Sequence, residues 1–187
     1  DNRFDVDASA MAMIPGSPIA YQASEKLIEQ FSAKPPLVQA VTASTGLSSG
    51  DNERFIRLWH EVSKPSFGLN FTIREAAAAS GRKWFPYSKG GDFRKWFGNQ
   101  EFVINWEDDG QEMKAAVIER YGGGSYTKTI VSEDKYFQDS VSMSMITTGT
   151  NDCRYNPLGA LPDCNLLSFY GLQGSERAQL LGFLNSN

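Results

Sequence analysis

The sequence predicts an α+β fold: a mixed or antiparallel twisted sheet carrying short helices. Two runs, residues 101–107 (EFVINWE) and 140–146 (SVSMSMI), alternate apolar and polar side chains with period two, as half-buried strands do. The helical runs are equally short and are cut by glycine or proline. Strand-like and helix-like runs also follow one another without the regular alternation that builds a parallel sheet.

The elements follow in chain order. Residues 1–13 (DNRFDVDASAMAM) have no period and form an opening arm. Ser17 is placed as an N-cap and Pro18 at the first helical position, with Ile19, Ala23, Leu27 and Phe31 on one apolar face. Lys34-Pro35-Pro36 ends that helix. The arm and this linker helix, residues 1–33, precede one domain over residues 34–187. A short apolar run, residues 37–41 (LVQAV), leads to turns at Gly46 and Gly50-Asp51-Asn52. Residues 54–62 (RFIRLWHEV) are expected as a strand with Ile56, Leu58 and Val62 on one face. Thr72 is the expected cap of a helix over residues 73–80, closed by Gly81. In EFVINWE, Phe102, Ile104 and Trp106 share a face. Asp108-Asp109-Gly110 then turns into a helix over residues 111–121, which three glycines end. In SVSMSMI, Val141, Met143 and Met145 oppose three serines. A Pro/Gly-rich stretch, residues 154–164, precedes LLSFYGL. The last helix starts at Ser175 and carries Leu180, Leu181 and Leu184.

At 187 residues the chain can bury a core without staples. With 41% hydrophobic and 21% charged residues it is globular rather than disordered. A net charge of −4 argues against indiscriminate binding to nucleic acid or to an anionic membrane. No apolar run reaches the length of a membrane span, and no signal peptide is visible, so a cytoplasmic location without membrane partners is expected. From the start at Asp1 and the abrupt closing LLGFLNSN, a fragment of a longer protein is expected. Cys153 and Cys164 are too few for a disulfide framework, and with His60 as the one histidine they are too few for zinc. Two reduced thiols are expected.

No catalytic constellation is present. The sequence has no phosphate-binding P-loop and no G-x-S-x-G elbow. GGDFRKWFG lacks the flanking strand and helix of a dinucleotide fingerprint, and YGGGS is a flexible helix end. His60, among apolar residues, is expected to be a partly buried strand histidine. Asp108 and Asp109 are expected as a solvated turn before a helix rather than a cation site.

The remaining signal is charge segregation. Residues 81–100 hold Arg82, Lys83, Lys89, Arg94 and Lys95 against Asp92, a local +4 on a chain whose net charge is −4, and six aromatic residues share the window. Residues 107–119 carry five acids and one lysine. Arg and Lys meet phosphates, Arg can fork onto guanine, and Asn or Gln can fork onto adenine. The five cations are therefore candidates for phosphate contact or guanine readout, and Asn99 and Gln100 for adenine readout. Trp84, Tyr87 and Trp96 are assigned to packing that fixes the segment. The bland alternative is an aromatic core beneath a solvated charged face.

Residues 83–110 (KWFPYSKGGDFRKWFGNQEFVINWEDDG) strongly resemble a signature in the C-terminal part of the PglX-type adenine-specific DNA methyltransferases of BREX phage-defence systems, and more distantly the type IIG restriction–modification enzymes. Residues 14–31 with 45–62 resemble the family's entry into its target-recognition region. Residues 135–163 match more weakly, and residues 180–187 resemble its closing helix. The family pattern Gly-Ile-Thr-Trp-Ser is replaced here by Ser140-Val141-Ser142-Met143-Ser144. The resemblance implies a parent with an N-terminal methyltransferase domain that uses S-adenosylmethionine and an Asn-Pro-Pro-Tyr motif. Asn156-Pro157-Leu158 does not supply that motif. The fragment is thus expected to be a target-recognition domain with no catalytic residue, cofactor or metal of its own. It would bind double-stranded DNA beside its own N-terminal methyltransferase domain, with Arg154 as a carried-over DNA contact. The alternative is a protein-interaction module. In that case Glu107, Asp108, Asp109 and Glu112 would dock on other defence-system proteins, or the basic segment would receive a DNA-mimicking inhibitor.

Overall fold

Strand pairing in the computed structural model, which describes residues 8–17, 23–147 and 149–186, is distributed over two four-stranded sheets. The class is α+β. The chain divides after Val41 into two units, Asp1–Val41 and Thr42–Asn187.

The first unit holds helices α1 (Ala8–Ala12) and α2 (Glu25–Ala33) and a 3₁₀ turn at Leu37–Gln39. Ser24, not Ser17, caps α2: its backbone is extended and its hydroxyl accepts from the Leu27 amide at 3.3 Å. Ser17 has a left-handed φ of 45°, which a cap cannot use, and Pro18 and Ile19 lie outside the described residues. Ile28 is the buried residue of α2, and Leu27 and Phe31 are exposed, so the buried face is turned by one residue from the expected one.

In the second unit, the first sheet has the order β1 (Thr42–Thr45), β8 (Leu166–Tyr170), β5 (Ser140–Ser144), β6 (Arg154–Asn156), all antiparallel. The second has the order β2 (Ile56–Leu58), β4 (Phe102–Asn105), β3 (Trp84–Ser88), β7 (Leu161–Pro162), and β7 runs parallel to β3. Helices α3 (Asn52–Phe55), α4 (Arg74–Ala79), α5 (Gln111–Arg120) and α6 (Gly174–Asn185) connect and flank them.

Several expected elements change for local reasons. Asp51 accepts from the Arg54 amide at 3.1 Å and winds residues 52–55 into α3, so the strand expected over 54–62 keeps only three residues. The Glu61 carboxylate accepts from the Leu58 amide at 2.7 Å and closes a 3₁₀ turn. His60 sits in that turn, exposed rather than partly buried. Helix α4 starts after Ile73 without a side-chain cap, so Thr72 does not play that part. Ile104 and Trp106 are buried as expected, but Phe102 is half-buried and Val103 and Asn105 are buried too, so both faces of this central strand are covered.

The largest departure is in β5. Val141 is buried as expected, but Ser140, Ser142 and Ser144 are buried as well, while Met143 is half-buried and Met145 is exposed. The hydroxyls have partners inside. Ser142 Oγ lies 2.7 Å from Ser168 Oγ and accepts from Asn156 Nδ2, and Ser144 Oγ donates to Asp152 at 2.5 Å. A buried hydroxyl so paired carries little desolvation cost.

The core joins Phe55, Phe85, Ile104, Trp106, Met113, Val117, Phe137 and Leu161 with their neighbours. Phe85 meets Phe137 edge-on at 5.5 Å, and Trp106 meets Tyr136 at 5.2 Å. Among the described residues no helix is long and apolar enough to cross a membrane.

Candidate nucleic-acid interface

The basic segment leaves β3 at Ser88 and returns at β4, so both its ends are set by a buried strand pair in the register Phe85↔Ile104. Between them, residues 89–101 form a long loop whose path is fixed by backbone bonds. Trp96, at a positive φ of 73°, donates its N–H to the Cys153 carbonyl at 2.9 Å, and its own carbonyl accepts from Tyr155 at 2.9 Å. The loop therefore pairs with the β6 edge. Asn185, at the end of α6, accepts from the Cys153 N–H at 3.1 Å and donates to its carbonyl at 2.8 Å. Lys95 Nζ donates to the Asn185 carbonyl at 3.0 Å. Asn99 Nδ2 donates to the Asp92 carbonyl at 3.1 Å and ties the loop across itself.

Arg154 lies beneath. It is 1% exposed, donates to Asp152 Oδ2 at 3.0 Å and reaches the Lys89 carbonyl at 3.3 Å. Asp152, also buried, accepts from the Ser144 amide at 2.9 Å and from its hydroxyl. The carried-over DNA contact is thus spent on holding the loop's entry.

The loop turns its rings outward. Phe93, Trp96 and Phe97 are 59%, 53% and 58% exposed. Trp96 was expected to pack; its backbone fixes the segment while its ring faces solvent. Tyr87 is buried and donates its hydroxyl to the Leu47 carbonyl at 3.2 Å, and Trp84 is half-buried with the Arg57 guanidinium 5.6 Å from its ring centre.

The sequence-derived cations fall into two groups. Lys89, Arg94 and Lys95 share the loop; Arg94 is exposed, and Lys89 Nζ stands 4.9 Å from the centre of the Phe102 ring. Arg82 and Lys83 precede β3, where Arg82 donates to the Pro65 carbonyl and Lys83 pairs with Glu107 at 3.4 Å. Asn99 is buried, with its amide donating inside the loop. Gln100 is half-buried and donates to the Gly98 carbonyl at 3.2 Å. A cleft of about 450 Å³ lies between Lys89, Arg94 and Asn99 on one side and Leu58, Glu101 and Phe102 on the other. Phe93 and Phe97 escaped the residue-by-residue reading. The signal that could have found them is an aromatic side chain in a glycine-flanked, aperiodic stretch between charges.

The acidic stretch is largely paired. Glu112 accepts from Arg54 at 2.7 Å and from Asn105 at 2.8 Å, and the Arg54 hydrogen bonds outweigh desolvation to hold its carboxyl below the usual range. Asp109 meets Arg74 at 2.5 Å and Lys114 at 2.8 Å. Burial pushes its carboxyl up, but these bonds prevail and hold it low. It is a buttress between α4 and α5, not the solvated turn residue expected. Asp108 is exposed. Cys153 and Cys164 are free thiols, and burial pushes Cys153 up to about 11. Among the described residues no group of three or more His, Cys, Asp or Glu could hold a metal ion.

No family model matches the chain. It is 36% identical over 177 residues to the adenine-specific methyltransferase PglX of Lacticaseibacillus casei (strain Zhang), covering 93% of this chain and 14% of that protein. It is 38% identical over 151 residues to the adenine-specific methyltransferase BrxX of Escherichia coli O9:H4 (strain HS), covering 80% of this chain and 11% of that protein. The chain therefore spans a small part of the length of these curated relatives. The triple glycine at 122–124 does not fit a nucleotide-phosphate cradle, since it follows the C-terminal end of α5, where carbonyls rather than amides point outward. By sequence along most of its length, the chain is a PglX-type region, related to a segment of the adenine-specific methyltransferases PglX and BrxX.

Proposed function

We propose that this chain is the DNA target-recognition domain, from the C-terminal part, of a bacterial adenine-specific DNA methyltransferase of a phage-defence system. It binds duplex DNA and presents the target adenine to a catalytic domain outside the chain. That domain takes the base out of the stack and holds S-adenosylmethionine, which supplies the methyl group. The observation that carries the reading is the loop over residues 89–101: exposed Arg94 and three exposed rings on a frame anchored to β6 and α6, in an otherwise acidic chain.

Arg94, Lys89 and Lys95 meet phosphates, and Arg82 and Lys83 extend that contact along the backbone. Gln100 is the better-placed adenine reader, because it is half-buried whereas Asn99 is buried. Arg154 acts as a positioning residue through Lys89 and Asp152. The same reading places the protein in the cytoplasm, with its own methyltransferase domain as its first partner. A docking role for the acidic residues toward other defence-system proteins is less favoured, since Glu107, Asp109 and Glu112 already have cationic partners.

The test is duplex binding by fluorescence anisotropy across a range of salt concentrations. Arg94→Ala should weaken binding and flatten the slope of log K against log[salt] by about one. An unchanged slope would remove Arg94 from the interface.

A further inference from the structure

Two exposed loops share a second cleft beside the basic segment. Gly91 and Phe93 from one loop, and Ile146, Thr147, Gly149 and Thr150 from the other, line it together with the buried Asp152, around a volume of about 370 Å³. Ile146 follows the end of β5 and is 81% exposed, and Met145 beside it is also exposed. With Phe93, Trp96 and Phe97, five large apolar side chains stand in solvent on two neighbouring loops. Apolar side chains grouped in this way mark a surface that something covers.

Charge and chemistry select the occupant. The cations Lys89, Arg94 and Lys95 belong to the same loop as Phe93, with Asp92 and Glu101 as its acids. Asp152, the buried acid of the lining, is neutralised by Arg154 and by two bonds from Ser144. A slot walled by Phe93 and Ile146, next in the chain to the exposed Arg94, suits a ligand with a flat uncharged face and an anionic backbone. The volume is at the small end of ligand cavities, of about 300–1,000 Å³, which fits one ring system rather than a peptide segment. The walls are also held: the Ser144–Asp152–Arg154 knot sets the base of the β5–β6 loop, and the Trp96 backbone sets the other.

We propose that Phe93 and Ile146 clamp a single unstacked base of the bound duplex, stacked on the Phe93 ring and capped by Ile146. Aromatic and aliphatic side chains do this elsewhere by giving a base a face to stack on or by wedging a base step open. The inference rests on the DNA-binding reading above and adds a ligand class to it: a nucleobase already out of the stack, or easily taken out.

The experiment compares three duplexes of one sequence — fully paired, mismatched at one pair, and carrying one bulged base — against this chain, Phe93→Ala, Phe93→Leu and Ile146→Asp. A bulged or mismatched base has already lost its stacking, so the native chain should bind those duplexes about tenfold more tightly than the paired one. Phe93→Ala should erase that preference and leave the salt slope unchanged, and Ile146→Asp, which also adds a negative charge, should erase the preference and is read on the preference alone. Phe93→Leu, which keeps an apolar side chain but no ring, should retain only part of it. Equal affinity for all three duplexes with a normal salt slope overturns the clamp and leaves DNA binding standing. Binding to none of them overturns both readings. Self-association lost in Phe93→Ala, without duplex preference, assigns the patch to a second copy of the chain and also overturns the clamp.

Discussion

Arg154 shows how far a single side chain can depart from its expected role. On sequence resemblance it was a DNA contact. In the fold it is 1% exposed, faces Asp152 at 3.0 Å and reaches the carbonyl of Lys89. Removing one member of a buried pair leaves the other charge without compensation, at a cost of about 3–5 kcal/mol. Arg154→Met should therefore lower the urea midpoint markedly, and the double change with Asp152→Leu should recover much of the loss. An Arg154→Met protein as stable as the native one would mean that the pair is not the frame of the loop. Part of this was legible, because residues two apart on an extended chain share a face, and Asp152 and Arg154 are so spaced. The buried environment of that face was not, because it depends on Ser144 and Lys89, which are distant in sequence. Trp96 teaches the converse: its backbone is fixed, and its ring is left in solvent.

At the scale of elements, periodicity found the strands but not always their inner face. In β4 Ile104 is buried as read, yet Phe102 is only half-buried and Val103 and Asn105 are enclosed as well, so both faces of the strand are covered and no alternation survives. In β5 Val141 is buried as read, but the three serines of the opposite face are buried too, because Ser168, Asn156 and Asp152 wait for them on adjacent segments. Hydrophobicity alone cannot see such partners. The turn into α5 was legible from Asp108-Asp109-Gly110, and its geometry is demanding. Gly110 has φ 72°, and a Cβ there would lie 2.5 Å from the Trp106 ring. Gly122, at φ 63° after the same helix, has nothing within 4 Å. Gly110→Ala should cost about 2–4 kcal/mol, the left-handed backbone and the overpacking together, and Gly122→Ala only about 1–2 kcal/mol for the backbone. Chemical denaturation of both variants checks the order. Equal losses would mean that Trp106 does not press on Gly110.

For the molecule as a whole, composition excluded indiscriminate electrostatic binding, and the local +4 over residues 81–100 singled out the segment that the fold then displays. The two-sheet arrangement is what makes it a surface: the loop starts and ends in the second sheet and is pinned to the edge of the first, so its cations and rings are held rather than free. The sequence could not place Ile146 beside Phe93, because 52 residues and a change of sheet lie between them. The proposed duplex-DNA partner is what that surface is read as meeting. The most direct test of the central claim is amide hydrogen exchange of the chain with and without a duplex. The account predicts slowed exchange over residues 89–101 and 145–147, with residues 107–120 unchanged. Slowed exchange at 107–120 with none in the loop would contradict it.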